Sequence, residues 1–364
     1  MINSTTRIKL ELLCKGVRIS DHLLRLFPGY LHKRASLSEG MCFDLFPKGL
    51  DHPVKINLPV REKFVKESPF SFDDQRMMIL KDDKPLISAS PIEQPSWYKQ
   101  KLDSGTFFQE IFQLHYKSIL ATSLTNFCDF KTIGKGCKFC AMGYESQKRR
   151  IKSAQEITAV LKELIGMGLH FTEVNLNSGT LIGNEKNINL YLDIVKAIRE
   201  LTDWPIYAQL CPPADLHEID RLVNAGITSL SFNMEIYDKK LRKKIMPAKG
   251  RIPIEHYLKA MSHASKILGR GQISSWLIAG LEPQDSTIEA IKRIAEIGVI
   301  PFVTVFRPLT GSEFENQTPP DPASIEHVFD ILSSTLSEMN LRPCETKCGC
   351  VKCNCCSALS EVLV

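Results

Sequence analysis

Twelve cysteines occur in this 364-residue chain, and they are unevenly spaced. Cys14, Cys42 and Cys211 are scattered, while Cys128, Cys137 and Cys140 share one short window. Six more, Cys344, Cys348, Cys350, Cys353, Cys355 and Cys356, crowd the end of the sequence. In a reducing compartment, clustered thiols point to metal binding or catalysis before disulfides. The middle group has the spacing C-x8-C-x2-C on a loop that also holds Gly134 and Gly136. Three thiolates on one such loop can face three irons of a [4Fe–4S] cube and leave the fourth iron open to a ligand. A structural zinc site prefers four ligands in two paired knuckles, and no second pair lies nearby in sequence. Thiols without a metal are the remaining alternative.

The terminal group admits three readings. It can hold a second iron–sulfur cluster, or zinc through the C-x2-C pair Cys350 and Cys353. It can also be a flexible thiol tail that carries persulfide or scavenges metal.

The elements that must position these groups begin about a third of the way along the chain. Apolar, strand-like runs occur at Ile119 to Leu124, Glu173 to Leu176, Ile206 to Leu210, Ser229 to Met234, Ile273 to Ala279 and Pro301 to Phe306. Helix-like stretches separate them at Ala154 to Met167, Asn187 to Leu201, Asp215 to Asn224, Ile254 to Leu268 and Ser286 to Glu296. A last helix is expected over Ala323 to Met339. Gly168, Gly226, Gly269 and Gly298 suit left-handed helix C-caps, and Ser153 and Asp285 suit N-caps. Strands alternating with helices give a parallel sheet with right-handed crossovers. The predicted fold is α/β: a partial (β/α)6 TIM-type barrel at 116–340, a small N-terminal α+β module at 1–115, and a Cys-rich tail at 341–364. Within the module, Pro53 to Val60 reads as a strand. Arg76 to Leu80 and Leu86 to Ala89 read as a hairpin around Lys81-Asp82-Asp83-Lys84.

Composition narrows the class. The chain is 43% hydrophobic and 24% charged, with a net charge of +5 from 46 basic and 41 acidic residues. No apolar run approaches the roughly 18 residues of a membrane span. The N-terminus lacks the apolar core of a signal peptide, so a cytoplasmic protein is expected. Two basic clusters, Lys148 to Lys152 and Lys239 to Lys244, read as solvated faces or as attraction for an anionic partner, nucleic acid included.

The cysteine loop and the strand ends resemble the radical S-adenosylmethionine (SAM) superfamily, in the biotin synthase and methylornithine synthase-like branch. Its common motif is C-x3-C-x2-C with an aromatic residue before the last cysteine, a place taken here by Phe139. The wider first gap reads as a loop insertion. The resemblance covers about residues 118 to 310 and implies a [4Fe–4S] cluster on Cys128, Cys137 and Cys140 with SAM on its open iron. Asn177-Ser178-Gly179-Thr180 stands where the family has the segment that contacts the SAM amino group. Asn233-Met234-Glu235 is similar to the element whose carboxylate binds the ribose hydroxyls. The resemblance gives Arg251 to the SAM carboxylate, with Arg242 in reserve, and sets Gly280 beside adenine. It sets Glu282 and Arg307 at the catalytic face, Glu282 either orienting the site or capping the next helix.

That family uses one electron to cleave SAM to a 5′-deoxyadenosyl radical, which abstracts hydrogen from an unreactive C–H bond. The resemblance therefore implies an oxygen-sensitive enzyme, a small-metabolite or cofactor-precursor substrate, and an electron donor such as flavodoxin or ferredoxin. Modification of a macromolecule, tRNA or peptide, and a non-catalytic Fe–S or metal carrier remain the alternatives.

Overall fold

The computed structural model describes residues 2–26, 40–144, 149–183 and 186–363. Two sheets organise it. The N-terminal one is a five-stranded antiparallel sheet of β1 (Met41–Phe46), β2 (Val54–Leu58), β3 (Phe70–Asp73), β4 (Met78–Lys81) and β5 (Lys84–Pro91), in the order β2-β1-β5-β4-β3. The expected hairpin forms with Lys81 opposite Lys84. Asp82 and Asp83 at its tip both have positive φ, 49° and 60°, as a two-residue turn that matches strand twist requires. The first strand of that hairpin starts at Met78 rather than Arg76.

The second sheet has seven strands: β6 (Gln113–His115), β7 (Ile119–Ser123), β8 (Glu173–Asn177), β9 (Ile206–Gln209), β10 (Ser229–Ser231), β11 (Ile273–Ala279) and β12 (Ile300–Val305). They lie in sequence order. Only β6 runs antiparallel, paired with β7, and the five pairs from β7 to β12 are all parallel. This curled six-strand parallel array with a helix in each crossover is a partial TIM-type barrel. All residues of β7 and β12 are buried, which is why they read as near-continuous apolar runs.

The crossover helices obey the predicted punctuation. Ser153 caps the helix Ala154–Gly166 and forms a reciprocal capping box with Glu156. Gly168, Gly226, Gly269 and Gly298 all adopt positive φ at or just beyond helix ends. Asp285 is not a cap. The helix Gln284–Glu296 begins earlier, behind Pro283, and Asp285 lies in its first turn.

Strand β10 also differs from expectation, ending at Ser231 rather than Met234. Met234 N–H donates to the Ser275 hydroxyl instead of continuing the ladder. Glu235 then rejoins the sheet through a single bridge to Leu277, with φ of 60°.

The N-terminal sheet is fastened to the barrel by specific polar contacts. Arg307, just past β12, donates to Asn57 Oδ1 (3.0 Å) and Asn57 O (2.8 Å). Tyr116, between β6 and β7, donates to Asp44 on β1 at 2.6 Å.

The tail crosses the lower end of the barrel, where the strands begin. Gly349 N–H donates to Glu173 Oε1 at the start of β8 (2.7 Å), and Thr346 Oγ1 donates to Gly271 O before β11 (2.8 Å). A Cβ on Gly349 would meet the Tyr207 ring at 2.4 Å, so this close crossing requires glycine. Lys9, fully buried in the helix Ser4–Lys15, donates to Asn354 O (2.9 Å) and pairs with Glu361 (3.0 Å). The tail is therefore a built floor held by both ends of the chain.

Candidate active site

Cys128 lies just past the C-terminal end of β7, at the N-cap of the short helix Asp129–Thr132. Its loop is pinned on several sides. Asp129 N–H donates to Thr180 O (2.8 Å), and the Asp129 carboxylate accepts from Ile182 N–H (2.8 Å) and pairs with Arg149. Lys138 N–H donates to Ile245 O (2.9 Å), and Lys131 Nζ donates to Cys140 O (3.1 Å). Gly179 makes the crossing between this loop and the end of β8 possible. A Cβ there would stand 2.0 Å from Phe127 O, and its N–H donates to Thr125 Oγ1 at 2.8 Å.

Burial pushes the Cys140 thiol up to about 11, against the Met142 N–H that favours its thiolate. Burial, reinforced by Glu235, also pushes Cys137 well above the ordinary thiol range. As neutral thiols they must release protons to bind iron, which ties metal loading to pH. Among the described residues, no three His, Cys, Asp or Glu converge on a point suited to one metal ion. Thiolates on a cube bond different irons, so they stand farther apart than ligands around a single ion.

Inside the barrel a cavity enclosing about 1440 Å³ of empty space, its open mouth included, runs from this loop to the tail. Its walls are apolar at Phe139, Met142, Leu210, Ile278, Phe302 and Phe306, with amides at Asn175, Asn177, Gln209 and Asn233. Four residues lining this space each carry a buried polar atom with no hydrogen-bond partner among the described residues: Asn175 Oδ1, Asn177 Oδ1, Glu235 Oε2 and Trp276 Nε1. Buried polar groups are nearly always satisfied, so such orphans mark where a ligand's polar groups belong.

Glu235 is the clearest case. Its other oxygen accepts from Lys249 Nζ at 2.6 Å in a pair that is almost fully buried. The positive φ that aims this carboxylate inward is a strained conformation for a non-glycine residue, held by Glu235 N–H to Trp276 O (2.7 Å) and Ile278 N–H to Glu235 O (2.9 Å). The carboxylate holds the Lys249 ammonium well above the ordinary lysine range, although burial opposes this.

The sequence-derived site residues divide by position. Phe139, Asn177, Ser178, Thr180, Asn233, Glu235 and Arg307 line the cavity. Arg307 also clamps Asn57 and lies 3.7 Å from the buried Glu62 carboxylate. Gly280 does not line the cavity, and a Cβ on it would meet the Pro320 ring at 2.7 Å. Glu282 does not line the cavity. Its carboxylate accepts from Tyr237 N–H, Asp238 N–H and Thr287 Oγ1, so it holds the loop after β10 and the start of the following helix. Arg251 is exposed on the turn Lys249–Arg251 and does not line the cavity, whereas Lys249 does.

Arg242 is buried and donates to Met234 O and Ile236 O, bracing the strand end that presents Glu235. The four lysines around it, at 239, 240, 243 and 244, are exposed. Of the other basic cluster, Lys148 lies outside the described residues.

A profile of the radical SAM superfamily matches residues 122–317, more than half of the chain. The chain belongs to the radical SAM superfamily. It is an enzyme of a family that works with a [4Fe–4S] cluster and SAM. Among curated relatives, a bacteriochlorophyllide c C-7(1)-hydroxylase from Chlorobaculum limnaeum is 26% identical over 265 residues, covering 65% of this chain and 64% of that protein. A probable dual-specificity RNA methyltransferase from Moorella thermoacetica is 23% identical over 198 residues, covering 50% of this chain and 54% of that one. The chain thus spans less than two thirds of either relative. Among solved structures, methylornithine synthase aligns at a TM-score of 0.49 and 18% identity, covering 61% of this chain and 62% of that one.

The residues of the cysteine loop and of the cavity fit both groups. Three thiols on a pinned loop suit a cluster with one open iron. The acceptors Asn177 Oδ1 and Glu235 Oε2 suit the amino and hydroxyl donors of SAM, and Lys249 suits its carboxylate. Lys249 was not legible in the sequence, because no motif distinguishes it from the exposed lysines just before it.

Proposed function

We propose that this enzyme holds a [4Fe–4S] cluster on Cys128, Cys137 and Cys140 and cleaves SAM reductively to act on a small molecule inside the barrel. When bound, the cluster supplies the electron that splits SAM into methionine and a 5′-deoxyadenosyl radical, which takes a hydrogen atom from the substrate. The protein's part is binding, orientation and exclusion of water and oxygen.

Asn177 Oδ1 would accept from the SAM amino group, and Glu235 Oε2 from a ribose hydroxyl. Lys249, anchored by Glu235, would neutralise the carboxylate. Phe139 and Met142 form an apolar collar between the cysteine loop and the cavity. Below them the belt of Asn175, Gln209 and Asn233 offers both donors and acceptors to a compact, polar-edged substrate. The reductant would be a small electron carrier such as flavodoxin or ferredoxin, and a cytoplasmic location goes with it. The module at 1–115 would close one side of the substrate chamber, through Arg307 and Asn57.

The observation that carries this reading is the pair of orphaned acceptors, Asn177 Oδ1 and Glu235 Oε2, in one cavity beside the cysteine loop. Closure of that cavity by the tail at its lower end supports a small substrate over a macromolecule. The test is anaerobic incubation with SAM, dithionite and fractions of a deuterated cell extract. Deuterium in 5′-deoxyadenosine from the low-molecular-weight fraction is expected. Transfer only from the RNA or protein fraction would establish macromolecular modification instead, and no 5′-deoxyadenosine with any fraction would leave a carrier.

A further inference from the structure

The six tail cysteines do not form one group. Cys344 is exposed, and Cys348 is buried below the barrel, near Ser229 and Glu173. Cys350, Cys353, Cys355 and Cys356 instead line the floor of the same cavity whose mouth holds Glu235 and Phe139. A fifth thiol joins them from far away in the sequence. Cys42 on β1 stands opposite Asn57 on β2, and Asn57 N–H donates to Cys355 O at 2.8 Å. This brings the Cys355 thiol into hydrogen-bonding contact with both Cys42 and Cys353.

We propose that Cys42, Cys350, Cys353, Cys355 and Cys356 supply the ligands of a second iron–sulfur cluster at the floor of the barrel. Three observations carry it. Four of these thiols, Cys350, Cys353, Cys355 and Cys356, line an open chamber, whereas structural cysteines pack against apolar neighbours, and buried Cys42 touches Cys355 behind them. Among the described residues, no three of them converge on one point, as a single tetrahedral zinc would demand. Hydrogen-bond donors are aimed at the sulfurs: Gln209 Nε2 lies 3.0 Å from Cys350 Sγ, and Asn57 Nδ2 lies 3.5 Å from Cys42 Sγ. The orphaned Trp276 Nε1 is also directed toward Cys350. Such donors stabilise metal-bound thiolates and set cluster potential.

This site gives the N-terminal sheet a function that its sequence conceals, because the sheet delivers a ligand and seals the floor. A substrate in the chamber would lie between Glu235 at the mouth and these sulfurs below. The proposal stands independently of SAM chemistry at the mouth, and one experiment separates the two. Full-length protein is reconstituted anaerobically with iron and sulfide, and iron, sulfide and zinc are counted.

Wild type is expected to hold about eight irons per chain, and the Cys128→Ser/Cys137→Ser/Cys140→Ser variant about four. Adding Cys350→Ser, Cys353→Ser and Cys355→Ser should remove the rest. Cys42→Ser alone should lower the floor's occupancy, while Cys14→Ser, a buried cysteine off the cavity, should not. About four irons in wild type and none in the first variant overturns the proposal, as does stoichiometric zinc resisting replacement. Should the variants fail to fold by circular dichroism, Mössbauer and EPR spectra of wild type decide. Two cubane signals, only one perturbed by SAM, support the second cluster, and a single signal refutes it.

Discussion

Replacing Glu235 with glutamine tests the proposed SAM seat with the least disturbance, because size and shape are kept. Lys249 Nζ sits 2.6 Å from Oε1 and, as a cation, will keep an acceptor there. The glutamine amide must therefore turn its NH2 group to the position of Oε2, the atom that is buried and unpartnered. A donor then stands where a ribose hydroxyl would donate, and one charge-assisted hydrogen bond is lost. Such a bond is worth about 1.5–3 kcal/mol. At about 1.4 kcal/mol per tenfold, SAM should bind roughly 10- to 150-fold more weakly. Equilibrium dialysis of labelled SAM against anaerobically reconstituted protein measures this, with iron content as the control. An unchanged Kd at full iron content would refute the assignment of Glu235.

Four further outcomes follow from particular contacts. Gly179→Ala drives a Cβ onto Phe127 O at 2.0 Å, so the cysteine loop should shift and iron uptake on reconstitution should fall by half or more. Normal iron uptake would show that the crossing is not needed. Arg251→Ala removes an exposed side chain outside the cavity, so SAM affinity should stay within about twofold by the same dialysis, because no direct contact is lost. A large loss would return Arg251 to the site. Arg307→Ala leaves the buried Glu62 carboxylate without its nearby cation, which costs about 3–5 kcal/mol if the charge cannot be relieved. Denaturant unfolding followed by near-ultraviolet circular dichroism should show an earlier loss of the N-terminal sheet, and a coincident midpoint with wild type would contradict this clamp.

The fourth concerns pH. Burial pushes the Lys152 ammonium down from its ordinary 10.5 to about 7. Between those values the folded chain holds fewer protons than the unfolded one, so this group makes stability rise with pH across that window and adds no slope below about 7, where both states are protonated. Lys152→Met should flatten the rise in melting temperature between pH 7 and pH 9.5, and parallel profiles would rule the assignment out.

The parallel strands were legible because burial on both faces leaves near-continuous apolar runs, as in β7 and β12. The cysteine loop was legible because spacing along one segment is a local property. Glu235 could be picked out for its place at a strand end, but not the left-handed turn that aims it, which is imposed by pairing with β11. Residues that meet only in three dimensions were invisible. Lys249 enters the cavity while Arg251, two positions on, faces solvent, a difference set by the turn between them. Cys42 looked like background, since its partners are more than three hundred residues away. The sequence left a flexible tail open as one of three readings because nothing in its composition announces Glu173, Gly271 and Thr304 as its anchors.

The central claim is that Cys128, Cys137 and Cys140 hold the cluster that opens SAM. Its direct test is 5′-deoxyadenosine formation by reconstituted protein with SAM and dithionite, comparing wild type with each single alanine variant. Wild type should give product and Cys128→Ala, Cys137→Ala and Cys140→Ala none, while SAM cleavage survives Cys344→Ala. Full turnover by any of the three loop variants would contradict it.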